Sequence, residues 1–176
     1  MEIEIKTERL KLRPLRLQDL NDVHTYASDL ENTRYMLFLP NDTLEETEAF
    51  LRSAQQEWQR EQPEDYEFGI ELDGHVIGAV SVYLTEDRTE GEMGWILNKR
   101  FWRKGYMLEA AMTVRNYAIQ KLGVMRLVAH CDDRNEPSWR LMEKLSFRME
   151  DANGSRTYAK TGEQAIERTY SLTVAD

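Results

Sequence analysis

The sequence predicts a mixed α/β fold, one sheet carrying helices on its faces. Three observations point there. The hydrophobic period switches repeatedly between two and 3.6 residues, and in chain order it reads β-α-α-β-β-β-α-β-α-β-β. Asp73-Gly74 joins two period-two runs, a strong hairpin signal. A strand–helix–strand unit spans Gly91 to Asp132, and its two strands are expected to be parallel with a right-handed crossover. Strands on both sides of that helix imply a mixed sheet, and ligands of such sheets sit beyond the carboxyl ends of the strands.

Each element has its own warrant. Glu4 to Leu15 reads as one strand, with Leu10 and Leu12 on one face and Arg9, Lys11 and Arg13 on the other. A helix follows, with Leu20, Val23, Ala27 and Leu30 at helical spacing and Asp19 near its positive end. A second helix opens at Thr43, where Thr43 and Glu46 make a capping-box pattern; Phe50, Leu51, Ala54 and Trp58 supply its buried stripe. Tyr66 to Asp73 and His75 to Leu84 are the hairpin strands, and a third runs from about Gly91 to Asn98. The long helix from about Gly105 to Leu122 turns Met107, Ala110, Ala111, Val114, Ala118 and Leu122 inward, with Gly123 as its stop. Met125 to Asp132 is a strand, and Asn135 to about Ser146 is a helix with Pro137 in its first turn. The tail, Phe147 to Val174, reads as strands broken at Asn153-Gly154 and Thr161-Gly162.

The 176 residues are expected to form a single domain, 1–176. Lys plus Arg is 23 against 32 Asp plus Glu, a formal charge of −9, which argues against general nucleic-acid binding. The longest stretch without an Asp, Glu, Lys or Arg, Gly74 to Thr85, is far short of the roughly 20 apolar residues a membrane span needs, so no membrane association is expected. The charged opening MEIEIKTERL lacks an apolar signal core. One cysteine, Cys131, excludes an internal disulfide framework and multi-cysteine metal sites; with His24, His75 and His130 far apart, no metal is expected, and a reducing cytoplasm is the simplest setting. His130-Cys131 is not a thiol–imidazole pair, because neighbours in a strand face opposite sides.

The stretch that carries chemistry is Lys99-Arg100-Phe101-Trp102-Arg103-Lys104-Gly105-Tyr106-Met107-Leu108-Glu109-Ala110, which links a strand to a helix. Four of its first six residues are basic, and a glycine sits where the helix begins. Unpaired N–H groups and the positive end of the helix, together with Arg and Lys side chains, make an anion site suited to a diphosphate. A solvated basic turn is the bland alternative. Neither a Walker pattern nor G-x-G-x-x-G occurs, so a nucleotide-binding α/β protein is a distant third reading.

At these residues the chain resembles the GNAT N-acetyltransferases, whose coenzyme A loop reads Q/R-x-x-G-x-G/A. More closely it is similar to the ribosomal-protein-alanine N-acetyltransferase (RimJ/RimL-like) branch. Phe101 to Ala110, Thr7 to Leu15, Glu92-Met93-Gly94-Trp95-Ile96, and Asn135 to Phe147 all match that branch's motifs in order and spacing. The resemblance implies a mostly antiparallel sheet of six to seven strands, flanked by about four helices. It also implies an acetyl-CoA-dependent enzyme moving an acetyl group directly to a primary amine. The acceptor is either a protein N-terminal α-amine or a small-molecule amine, and a homodimer is common in the branch. Arg100, Arg103, Lys104, Gly105, Tyr106, Met107 and Leu108 map to the pyrophosphate loop. Ile96, Leu97 and Asn98 map to a late-strand bulge whose free backbone groups meet the pantetheine arm and the thioester, and Asn135 maps to a pantetheine contact.

Two residues are candidates for catalysis. Ser138 would protonate or orient the leaving sulfur, its plainer role being a local cap at a helix start. Glu92 would serve as base, in competition with a water relay to bulk. Departures also stand out. Arg103 replaces the loop's first glycine, Met107 a small residue and Ser146 a helix-stop glycine; the tyrosine many relatives use as general acid falls at Met142. A side chain at 103 either narrows the cradle or points outward and adds charge. These departures motivate a second reading, a non-catalytic coenzyme A-binding module or structural partner of the same fold. Tyr35, Met36, Leu37 and Phe38 map to the border of the acceptor cleft or pack in the core.

Overall fold

The computed structural model describes residues 3–174. Its centre is an eight-stranded sheet. The strands are β1 (Ile5–Lys6), β2 (Lys11–Pro14), β3 (Asp65–Leu72), β4 (His75–Leu84), β5 (Glu90–Leu97), β6 (Arg126–Asp132), β7 (Arg148–Thr157) and β8 (Gln164–Thr173). The helices are α1 (Leu20–Ala27), α2 (Leu44–Glu57), α3 (Tyr106–Lys121) and α4 (Glu136–Lys144). The spatial order is β1-β2-β3-β4-β5-β6-β8-β7, antiparallel throughout except for the β5–β6 pair. No helix among the described residues is long and apolar enough to cross a membrane.

The sheet has eight strands and not six to seven because the opening segment folds back on itself. Thr7 N–H bonds Leu10 O at 2.9 Å, which turns the chain and pairs Ile5 with Leu12. At the other end, Asn153-Gly154 does not break the tail; it lies within β7, as an irregularity in the register with β8.

Two cores cover the two faces. On one, Leu15, Val76 and Ala79 pack against Val23, Tyr26 and Ala27 of α1 and Leu51 of α2. On the other, Phe68, Val80, Met93 and Leu127 meet Ala110, Ala111, Val114 and Ala118 of α3, with Met142 of α4. Small residues along α3 let its backbone lie close on the sheet. Two expected core residues are outside. Leu30 lies beyond the end of α1, where Ser28 Oγ donates to His24 O at 2.6 Å and helps close the helix. Phe50 is exposed, and the buried position beside Leu51 and Ala54 belongs to Thr47, whose hydroxyl meets His24 Nδ1 at 2.8 Å.

Candidate active site

The parallel pair in the sheet is short. Register runs Glu90 to Arg126, Gly91 to Leu127 and Glu92 to Val128, and then the strands part. β5 continues beside β4 as far as Leu97, while β6 continues beside β8 as far as Asp132. A gap opens between the carboxyl ends of β5 and β6. Asn98 N–H donates to Ile77 O at 2.8 Å and Glu90 O accepts from Thr85 N–H at 3.0 Å, so the even-numbered residues of β5 turn their backbone groups to β4. Alternation turns Trp95 and Leu97 toward the gap.

Leu97 is held there from two sides. Its carbonyl accepts from Asn32 Nδ2 and from Trp102 Nε1, both at 2.8 Å, which leaves its N–H as the outward donor. Asn32 Oδ1 also accepts from Lys99 N–H at 2.6 Å. The bulge expected at Ile96–Asn98 is absent: β4 and β5 stay in regular register, and the irregularity lies between β3 and β4, next to Ile77. Ile96 therefore pairs with β4, while Asn98 gives its N–H to Ile77 O and its carbonyl to Phe101 N–H at 2.9 Å in the turn that follows. Gly78 permits this closeness, because a Cβ there would stand 2.4 Å from Ile96 O.

The loop beyond Leu97 begins with a 3-10 turn, Lys99–Phe101, capped by Asn98 Oδ1, which accepts from Arg100 N–H at 3.1 Å. Arg103 has φ 61° and Gly105 φ 80°, both left-handed, so the backbone curls just before α3. Glycine adopts this conformation without cost, so Arg103 is strained there. Arg100, Arg103 and Lys104 have no acidic partner among the described residues, whereas Lys99 pairs with Asp29 at 2.8 Å and Glu31 at 2.9 Å. A residue not expected in the site fixes the loop. Arg9 Nη1 donates to Lys104 O at 2.8 Å, its Nε pairs with Glu109 Oε2 at 2.7 Å, and its guanidinium lies 4.5 Å from the Tyr106 ring centre. Burial pushes the Glu109 carboxyl up, but hydrogen bonds from Thr7 and Arg9 outweigh it and hold the group below its usual range.

On the α3/α4 face, the first turn of α4 meets β5. Ser138 Oγ accepts from Trp95 Nε1 at 3.1 Å, so the hydroxyl serves β5 and is not a local cap. It also lies against Cys131 of β6. Burial pushes that thiol up to about 11, while Arg156 and the hydrogen bond with Ser138 work the other way. Cys131 is buried and His130 half-buried on the opposite face, as the alternation requires. Asn135 stands at the N-cap with no side-chain capping bond. Met142 is fully buried core, a packing residue. Ser146 takes the glycine-like φ of 68° at the end of α4.

On the other face, Glu92 is exposed at the point where the strands part. Glu67, Ser81 and Gly94 share a row across β3, β4 and β5. Glu67 is buried and accepts from Tyr83 OH; burial pushes its carboxyl up to about 7 against that hydrogen bond. Sequence reading gave no sign of Glu67, because a glutamate in a strand normally marks the solvent side.

Comparison with known proteins agrees with this geometry. Residues 9–148 match the model of the family described as acetyltransferase (GNAT) domain. An uncharacterized N-acetyltransferase of Bacillus subtilis, YnaD, is 28% identical over 150 residues, 84% of each chain. The spermidine N(1)-acetyltransferase of Escherichia coli is 28% identical over 143 residues, 80% of this chain and 74% of its own. The crystal structure of a GNAT-family acetyltransferase from Bacillus anthracis superposes with a TM-score of 0.80 at 27% identity, covering 97% of this chain and 98% of that one.

Proposed function

The chain belongs to the acetyltransferase (GNAT) domain family, and on that premise we propose that it is an acetyl-CoA-dependent enzyme acetylating a primary amine, the finer reading being an α-amine such as a protein N-terminus. The observation that carries the proposal is the parting of β5 from β6 beside a loop in which Arg100, Arg103 and Lys104 have no acidic partner among the described residues.

The curled backbone at Arg103 and Gly105, the start of α3 and the side chains of Arg100, Arg103 and Lys104 fit a diphosphate. Asn135 has a side chain free to meet the pantetheine arm. Bound acetyl-CoA supplies an acetyl carbonyl already joined to a good leaving group. In the transfer, a carbon–nitrogen bond forms, the carbon–sulfur bond breaks, sulfur leaves with the electron pair and is protonated, and the nitrogen gives up a proton. Leu97 N–H, turned into the gap, is the donor for the carbonyl oxygen; such a donor is worth about 2.7–4 kcal/mol. Ser138 delivers the proton to sulfur. Trp95 occupies one of its lone pairs, and the hydroxyl hydrogen, which faces Cys131, must turn from that thiol to the leaving sulfur. Glu92, exposed at the fork, takes the amine proton through water. A single buried cysteine suits a reducing, cytoplasmic setting.

The first test is calorimetric titration of acetyl-CoA, with ATP and NAD as controls; selective micromolar binding is expected. Ser138→Ala should then lower thiol release with little change in acetyl-CoA affinity, and unchanged turnover would remove Ser138 from the mechanism. The second reading, a non-catalytic coenzyme A binder, draws on Met142, wholly buried where many relatives carry an acid. Binding without turnover on any amine would favour it.

A further inference from the structure

The face opposite α4 holds a buried arginine with few partners. Arg156 of β7 is 7% exposed, and its Nε and Nη1 make no hydrogen bond. Nη2 reaches Tyr35 O only at 3.5 Å, and Nη1 lies 3.7 Å from Glu167 Oε2. Nε carries one N–H and Nη1 two, so three donors are without an acceptor. Glu167 offsets part of its charge, but leaving the donors without hydrogen bonds in the interior is costly, and what answers them is oxygen.

Register places Arg156 on the same face as the residues at the gap, two strands beyond β6. Gly154 pairs with Glu167 and Glu167 with Asp132, so Arg156, two residues on from Gly154, shares their face. Through the parallel pair, this is also the face of Glu92, Gly94 and Ile96. Side chains of β7 and the turn after it reach back across β8 to β6: Tyr158 OH donates to Asp132 Oδ2 at 2.6 Å. Ser138 of α4 bonds Trp95 on the other face, so the acceptor is taken to approach from the side of Arg156. The segment over that side is tied down by Leu37 O, which accepts from Ala159 N–H at 2.9 Å.

The acids nearby are already engaged. Asp132 accepts from Arg134 and Tyr158, and Glu167 faces both Arg156 and His130, the latter at 3.5 Å. No uncommitted carboxylate among them stands ready for a second ammonium, and Arg156 repels one. We propose that Arg156 binds the carbonyl or carboxylate oxygen next to the reacting amine, so that the acceptor is an α-aminoacyl amine (a free amino acid or a peptide N-terminus) and not a polyamine. The inference rests on the N-acetyltransferase reading and assigns the residue that would select an α-amine over a polyamine. Tyr35 O, the weak partner at 3.5 Å, yields its place to the acceptor oxygen.

The test uses the full chain with acetyl-CoA, read by thiol release. The acceptors are the twenty free amino acids, peptides beginning with each of them, their decarboxylated amines, and spermidine. In the wild type the best aminoacyl acceptor should exceed its decarboxylated counterpart roughly 10- to 100-fold in kcat/KM. Amino acids and peptides are scored apart, which separates the two sources of the oxygen. Arg156→Met should erase the preference through acceptor KM, with acetyl-CoA binding by calorimetry unchanged, and Arg156→Lys should keep part of it. A decarboxylated amine or spermidine acetylated as well as any aminoacyl acceptor would overturn the inference while the transferase reading stands. So would a preference that survives Arg156→Met. Binding of acetyl-CoA without thiol release on any amine would overturn both.

Discussion

Two buried arginines sit toward opposite ends of the sheet, and they are in opposite states. Arg13 on β2 is saturated. Nη1 and Nη2 grip both oxygens of Asp19 at 2.9 Å, Nε donates to Glu71 at 2.6 Å, and Nη1 also meets Pro14 O at 3.1 Å. These partners hold its charge firmly, raising its pKa. Arg156 on β7 is as buried and has no close hydrogen bond. The same contrast separates Lys99, which pairs with two acids, from Arg100 and Arg103, which pair with none. In a chain of net charge −9, a cation left unpaired is the informative one. Pairing, more than position or count, distinguishes a structural arginine from a binding one.

The sharpest way to break the comparison is to truncate both. Arg13→Met should cost about 3–5 kcal/mol, since it strands Asp19 and Glu71 with their charges. Arg156→Met removes a guanidinium with few bonds to lose, so without acceptor its stability should equal or exceed that of the wild type. Urea denaturation of the two variants measures the difference. Equal losses would mean that Arg156 is as structural as Arg13.

Glu67 lies between these extremes, buried with one donor, Tyr83. Its folded pKa of about 7 lies above the ordinary 4.5, so folding favours the neutral acid. The stability it carries is complete below pH 4.5 and is lost as pH rises through 7. The ceiling is about 3 kcal/mol for a shift of this size. Glu67→Gln should therefore gain about 2–3 kcal/mol on the wild type between pH 4.5 and 7.5. Parallel stability curves for the two proteins would show that the carboxyl titrates normally.

Much of the catalytic end was legible because its signals are local. A strand, a basic loop, a glycine and a helix with a small-residue face lie within thirty residues, and the structure runs α3 over Tyr106–Lys121, close to the expected span. What escaped reading depends on distant pairs. Arg9 reaches Glu109, Asn32 reaches Leu97, and Trp95 reaches Ser138, none of which shows as a period or a spacing. Trp95 and Trp102 each use the indole N–H at the gap, a role that no period or spacing announces. The opening strand was misjudged for a similar reason. Alternation runs straight through Thr7–Leu10, and the turn shows only in the bonds between Thr7 and Leu10, backbone and hydroxyl.

The smallest effect bears on Arg103, where strain and charge oppose each other. At φ 61° a non-glycine residue costs about 1–2 kcal/mol, and glycine returns part of that as unfolded-chain entropy. Arg103→Gly should therefore stabilise the free protein by about 0.5–1 kcal/mol. If the side chain points toward the phosphates, the same change should weaken acetyl-CoA binding several-fold at low salt. At 1 M salt, where the Debye length falls to about 3 Å, the difference between variant and wild type should largely vanish. Arg103→Glu should weaken binding further, by repulsion. Tighter binding by Arg103→Gly would mean instead that the side chain narrows the cradle. Arg103 would then leave the set of binding cations, and the contrast would rest on Arg100 and Lys104, which have no acidic partner among the described residues, and on Arg156, whose Nε and Nη1 make no hydrogen bond.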